Sequence, residues 1–148
     1  MYVRDFMSSD PACCDPTSSL ATVARLMVDR NCGEIPIVSS GDSGKVIGVI
    51  TDRDITCRSV AQGLNPLELT AEQCMSSPVI TVTPDTVIEE CCRRMEQHQI
   101  RRLPVVDDSG SCLGVVSQAD IARVASRKLA GEVVREVSRA ASAPSRVA

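Results

Sequence analysis

Two short segments hold the residues best suited to chemistry. Gly48-Val49-Ile50-Thr51-Asp52-Arg53-Asp54 and Gly114-Val115-Val116-Ser117-Gln118-Ala119-Asp120 each pair a hydroxyl with a carboxylate three residues on. A carboxylate accepts two hydrogen bonds, so it suits the adjacent hydroxyls of a diol. A hydroxyl at a helix start, beside unpaired backbone N–H groups, favours an anion such as phosphate. The glycines upstream let a flat ring approach the backbone. The same spacing also has a purely structural reading. Ser/Thr-x-x-acid is the helix capping pattern, in which the acid simply closes the box. At this level both readings stand.

The two segments belong to a longer duplication. Shifted by 68, Met75-Ser76-Ser77 falls on Met7-Ser8-Ser9, Pro84 on Pro16, Arg93 on Arg25, Met95 on Met27, and Pro104-Val105-Val106 on Pro36-Ile37-Val38. After a two-residue gap the shift is 66, and Gly114 to Ser117 falls on Gly48 to Thr51. A repeat of this size implies like units that bury apolar surface against each other.

Composition narrows the function classes. The chain has 148 residues, 43% hydrophobic, with Tyr2 and Phe6 its only aromatics, so the core must be aliphatic and rich in sulfur. Without stacking platforms a single-stranded nucleic acid is an unsuited partner. A net charge of -3 offers no basic footprint for a polyanion. Arg123, Arg127, Lys128, Arg135, Arg139 and Arg146 read as a solvated helix face. No apolar run approaches the ~20 residues of a membrane span. Residues 1–15 lack the apolar core of an export signal. The expectation is therefore a cytoplasmic protein whose eight cysteines are reduced. No C-x-x-C pair occurs and His98 is the only histidine, so no metal is expected. Catalysis has no support either, for want of a nucleophile elbow, a P-loop or a triad partner for His98. Cys91 and Cys92 read as small buried hydrophobes. The adjacent Cys13 and Cys14 leave a redox role open.

Elements must position these residues. Residues 3–7 suit a short helical turn. Leu20, Val23, Ala24, Met27 and Val28 make an amphipathic stripe after the start signal at 16–19. Ile35 to Val38 and Val46 to Ile50 read as strands around a turn at 39–44, with a helix from about Asp52. Repeat two predicts a strand at 79–82, a capping box at Thr86 to Glu89, and a helix with Ile88, Cys91, Cys92 and Met95 inward. Strands at 103–106 and 113–116 follow, then a helix over 119–129. Beyond Gly131, Val133, Val134 and Val137 allow another turn or two, and 140–148 reads as a frayed tail. Each unit is thus strand–helix–strand–strand–helix, an α/β (α+β) class. The expected divisions are residues 1–62, a connector at 63–73 broken by Pro66, 74–130, and an extension at 131–148.

The doubled pattern resembles the CBS domain, two copies of which form a Bateman module with pseudo-twofold packing. The resemblance rests on Val3-Arg4-Asp5-Phe6-Met7, the Pro36 and Pro104 strands, and the two Gly-apolar-apolar-Thr/Ser-x-x-Asp endings. The stretch Met95 to Val105 is also similar to a stand-alone CBS pair of mycobacteria. The resemblance implies a regulatory binding module, taking AMP, ADP, ATP, NAD or S-adenosylmethionine between the repeats. It gives Asp54 and Asp120 the ribose and brings Thr51 and Ser117 towards phosphate. It lets Arg101 and Arg102 reach phosphate held at Asp54, whereas Glu34 faces the Asp120 site. It further implies a homodimeric disc of four repeats and a target protein not named by the sequence. The alternative is a ligand-free or thiol-responsive stress protein on the same scaffold.

Overall fold

The computed structural model describes residues 1–41 and 44–139. Part of the turn at 39–44, the tail from 140 and Arg146 lie outside the described residues. The chain divides into two units. One comprises Met1–Ser8, Ile80–Val105 and the described chain from Gly114; the other comprises Ser9–Val79 and Val106–Leu113.

In the second of these, α1 (Leu20–Arg30) starts on Ser19, whose hydroxyl accepts the Thr22 N–H at 3.1 Å. Leu20, Val23 and Met27 of its stripe are buried. Val28 is exposed instead, and Leu26 packs on the core in its place. The helix ends at Asn31, whose φ of 48° is the left-handed conformation asparagine tolerates best. Strands β2 (Glu34–Val38) and β3 (Val46–Thr51) pair antiparallel, with Glu34 opposite Thr51 and Pro36 opposite Val49. Pro36 is tolerated because its missing N–H falls on the outer edge of β2, where the bridge from Cys14 uses the Pro36 carbonyl and the Val38 N–H. Then α2 (Asp52–Arg58), a 3-10 turn at Pro66–Glu68 and α3 (Ala71–Cys74) follow.

The first unit repeats the plan. Helix α4 (Ile88–His98) buries Ile88, Cys91, Cys92 and Met95, and ends left-handed at Gln99, the equivalent of Asn31. Strands β4 (Arg102–Val106) and β5 (Cys112–Ser117) join β1 (Ser8–Ser9) in the order β1-β5-β4. Three expectations are corrected here. The strand expected at 79–82 is a single parallel bridge, Val82 to Val105, mirrored by Cys14 to Ile37 in the other unit. Thr86 does not cap α4, because its hydroxyl turns back to accept the Thr83 N–H at 3.0 Å. The helix expected over 119–129 is broken. α5 (Gln118–Val124) stops, and Ser126 caps a new helix, α6 (Arg127–Val137), by accepting the Leu129 N–H at 3.2 Å. Gly131 lies within α6, and Val133 and Val137 are buried while Val134 is exposed.

Neither unit coincides with a sequence repeat, because the leading Met-Ser segments are exchanged. Ser76, which opens repeat two, bonds to Val49 of β3 in both directions, at 3.1 and 2.8 Å. Ser8, which opens repeat one, lies on β5 beside Gly114. Gly48 and Gly114 are the contact points. A side chain at Gly48 would strike the Met75 thioether, and one at Gly114 would stand 2.5 Å from the Ser8 carbonyl oxygen.

Both cores are aliphatic and sulfur-rich, as composition requires. One gathers Val3, Val82, Met95, Leu103, Val105 and Ile121; the other gathers Leu20, Val23, Ile35, Ile37 and Ile50. Burial, chiefly, pushes the Cys91 thiol up to about 12 and the Cys92 thiol to about 11, so both stay protonated and apolar at neutral pH.

Charge on α4 has an opposite pair of consequences. Arg94 and Arg93 hold the Glu90 carboxyl below its ordinary value. Partial burial, then Glu136 and Glu132 of α6, push that of Glu96 up. A raised carboxyl favours the folded state when protonated, and that contribution is lost as pH rises through its folded value. Glu96→Gln should therefore raise the melting temperature at pH 7 and leave it unchanged below about pH 4, where the wild-type carboxyl is protonated in both states. Thermal melts of both proteins across this range check it.

Candidate functional site

Strand β3 ends at Thr51 and α2 begins at once, so the hydroxyl–carboxylate spacing falls across a strand-to-helix junction. Thr51 Oγ1 accepts the Asp54 N–H at 3.0 Å, and Asp54 Oδ2 accepts the Thr51 N–H at 3.0 Å. The Asp52 N–H donates to Gly33 at 3.1 Å, which ties the helix start to the chain before β2. The box leaves Oδ1 of Asp54 outside, 3.9 Å from Arg58 Nη2. Arg58 is itself committed to the Cys74 and Met75 carbonyls, at 3.0 and 2.7 Å, and to Ser76 Oγ at 3.1 Å.

The β5–α5 junction repeats the box. Ser117 Oγ accepts the Asp120 N–H at 3.2 Å, and Asp120 Oδ2 accepts the Ser117 N–H at 2.8 Å. The Gln118 N–H donates to Arg101 at 2.9 Å, the counterpart of the Asp52 to Gly33 bond. Two differences follow from residue type. The smaller Ser117 hydroxyl also donates to Asp120 Oδ2, at 2.7 Å. Asp120 Oδ1 is taken by Arg123 in direct contact, and only 7% of the Asp120 side chain is exposed, against 17% for Asp54. The second box is closed on itself, whereas the first is more open.

The capping reading is thus realised in both endings, and it does not exhaust the carboxylates. Thr51 and Asp54 come together in one unit; Ser117, Asp120, Arg101 and Arg102 fall in the other. Arg101 is exposed and Arg102 half-buried at the start of β4, while Glu34 at the equivalent place in β2 is buried. Arg58 was not singled out from sequence, and Arg123 was read only as part of a solvated helix face, whereas it pairs with Asp120. Their signal is the acid–base spacing of four and three residues on a helix, which places each guanidinium over its aspartate.

The neighbouring cysteines separate. Cys14 is buried in the core of the second unit, and burial, chiefly, pushes its thiol up. Cys13 is half-buried, its Sγ–H donates to the Pro11 carbonyl at 3.7 Å, and Cys112 is the neighbour that most strongly raises its thiol.

A pair of like α/β units, each ending a strand on a hydroxyl–carboxylate box, defines the tandem CBS class. The chain belongs to the CBS-domain family, whose model matches residues 3–59 and 71–127. It is 34% identical over 137 residues to the CBS domain-containing protein YhcV of Bacillus subtilis, covering 92% of this chain and 94% of that one. It is 35% identical over 120 residues to hypoxic response protein 1 of Mycobacterium tuberculosis, covering 81% and 82%. An uncharacterized Methanopyrus kandleri protein, MK0525, is 41% identical over 109 residues, or 74% of this chain, but the match spans only 55% of its length. Relatives named as enzymes are longer still: the match covers 24% of the homoserine O-acetyltransferase of Methanosphaerula palustris.

Two solved structures complete the comparison. Hypoxic response protein I, solved with two coordinated zinc ions, superposes with a TM-score of 0.76 at 32% identity, over 85% of this chain and all of that one. The CBS domain pair of protein MJ0100, in complex with 5′-methylthioadenosine and S-adenosyl-L-methionine, gives 0.75 at 31% identity, over 84% and 94%. Among the described residues no group of three or more His, Cys, Asp or Glu could hold a metal ion, and no helix is long and apolar enough to cross a membrane.

Proposed function

We propose that the chain is a regulatory module that binds an adenosine-containing ligand and passes its bound state to a partner protein. The observation that carries this reading is the capping box itself. It holds each aspartate rigid by one oxygen and leaves the other directed away from the cap. At Asp54 that oxygen has only a long contact to an arginine engaged elsewhere, so it is available to accept a ribose hydroxyl. The Thr51 hydroxyl accepts one bond and keeps its proton to donate towards phosphate. Asp120 and Ser117 form the second, weaker site, suited to a ligand that can displace Arg123. The adenosine ligands in the MJ0100 pair favour this chemistry.

Phosphate adds a preference. The guanidinium forks of Arg101 and Arg102 favour a phosphate-bearing ligand, and the Glu34 carboxylate does not. At ~4 Å and an effective dielectric of ~20, reversing one charge changes the interaction by several kcal/mol before screening. AMP, ADP, ATP or NAD take the Asp54 site, and S-adenosylmethionine suits the other. Functional halves at 1–62 and 74–130 assemble as a homodimeric disc of four repeats in the cytoplasm, where eight free thiols persist. The ligand signals only by binding two arrangements with different strength.

Calorimetric titration with AMP and ATP tests the phosphate contact. Arg102→Ala should weaken ATP binding by about tenfold, equivalent to ~1.4 kcal/mol, and S-adenosylmethionine binding much less. Equal ATP affinity in both proteins contradicts it.

A further inference from the structure

Cys13 and Cys112 stand 99 positions apart in sequence and meet in the second unit. The backbone brings them there. The Cys14 N–H donates to Pro36 and its carbonyl accepts from Val38, at 3.1 and 2.8 Å, which lays residues 13–14 along the end of β2. Val38 pairs with Val46 at the start of β3. Lys45 bridges to Ser111, and the Val46 N–H donates to Gly110 at 3.0 Å, so the chain entering Cys112 is held to the same strand ends. Gly110 makes this approach possible: its φ is +87°, and a side chain there would press on Lys45 at 3.1 Å.

We infer that Cys13 and Cys112 are a dithiol pair that closes to an intrachain disulfide under oxidation, a thiol switch separate from the adenosine-ligand reading. Three observations select this pair. The backbone bonds above bring both to the same strand ends, and Cys112 is the neighbour that acts most strongly on the Cys13 thiol. Both are half-buried and so open to a small oxidant, as are Cys32 and Cys57, which lie away from these strand ends, while Cys14, Cys74, Cys91 and Cys92 are buried. Cys14, the sequence neighbour of Cys13, is turned into the core.

The chemistry follows from who holds the proton. The hydrogen bond to Cys112, then burial, then the charges of Cys112, Cys14 and Asp10 push the Cys13 thiol far up, so Cys13 keeps its proton. Cys112 makes the first attack in this proposal, and the balance is the same in the reverse order. The Cys112 thiolate attacks one sulfur of a low-molecular-weight disulfide, forming a mixed disulfide and expelling one thiolate. Cys13, giving up its proton, attacks the Cys112 sulfur and expels the second. Two protein thiols are oxidised, and one small disulfide is reduced to two thiols. Because the Cys13 thiol is held far up, the reaction is slow at neutral pH and accelerates in alkali.

The test uses the full chain with oxidised glutathione as the probe. Remaining thiols are alkylated, and digested peptides are mapped by mass spectrometry. The expected result is loss of two of the eight alkylatable thiols, with a Cys13–Cys112 linked peptide as the dominant cross-link. Cys112→Ser should abolish the link, and Cys13→Ser should leave glutathione on Cys112. A Cys13–Cys14 link, stable glutathione adducts without a link, or no reaction overturns the proposal. Melts of the reduced variants establish that they fold. If either does not, peptide mapping of the oxidised wild type decides alone. Ligand titration of the oxidised and reduced wild type distinguishes this proposal from the adenosine reading, since either can fail while the other holds.

Discussion

Gly114→Ala should cost about 2–3 kcal/mol of stability, and Gly48→Ala less than about 1. The two glycines are equivalent by repeat and sit on equivalent strands, so the difference isolates what each meets. At Gly114 the new methyl is driven against the Ser8 carbonyl, 2.5 Å away. That oxygen is backbone in β1, and moving it disturbs the sheet pairing. At Gly48 the obstacle is the Met75 thioether, an unbranched side chain that can change rotamer. Urea denaturation of the two variants and wild type reads the difference, with a melting shift of ~2–4 °C per kcal/mol expected for a chain of this size. Equal costs would mean that the leading segments are not seated on β3 and β5 as described.

Asp54→Asn should lower affinity for an adenosine ligand by about ten- to hundredfold, while Asp120→Asn should lower it only a few-fold. A hydrogen bond to a charged group contributes about 1.5–3 kcal/mol, and an amide keeps one acceptor where the carboxylate had two. Asparagine can still accept the Thr51 N–H with its carbonyl oxygen, so α2 stays capped, but the second acceptor for a diol becomes an N–H₂ donor. Stability should follow the reverse order. Asp120 is buried and holds the Ser117 hydroxyl as well as Arg123, so its substitution disturbs more bonds; Asp54, whose outer oxygen has only a long contact, has less to lose. Calorimetry and thermal melts on the same samples separate the two effects. Equal loss of affinity at both positions would contradict the ranking of the sites.

The repeat made most of the fold legible. A strand ending in Gly-apolar-apolar-hydroxyl and a stripe such as Leu20, Val23 and Met27 report local periodicity, which survives in the folded state. Where reading failed, a local signal was outcompeted. Thr86 had the right spacing to cap α4, but Thr83 offered a nearer donor. Ile121, Val124, Ala125 and Leu129 ran on as one helical face, but Ser126 caps a second helix, and its hydroxyl decides the break. The exchange of leading segments had no local signature, since Met7 and Met75 are both followed by Ser-Ser whichever strand they join. At the site, the boxes were readable as Thr51-x-x-Asp54 and Ser117-x-x-Asp120. Their inequality was not, because it arises from which arginine reaches each Oδ1. The Cys13–Cys112 contact was invisible for the related reason that it joins distant segments.

The central claim is that the capped Asp54 offers its outer oxygen to an adenosine ligand, with Asp120 a weaker second site. Native mass spectrometry of the full chain, titrated in turn with AMP, ATP and S-adenosylmethionine, tests it most directly. The account predicts saturable adducts of the ligand mass on the folded protein, nucleotides filling one site per chain before any second, and their loss in Asp54→Asn. A folded chain that retains none of the three at concentrations well above ordinary cellular levels contradicts it.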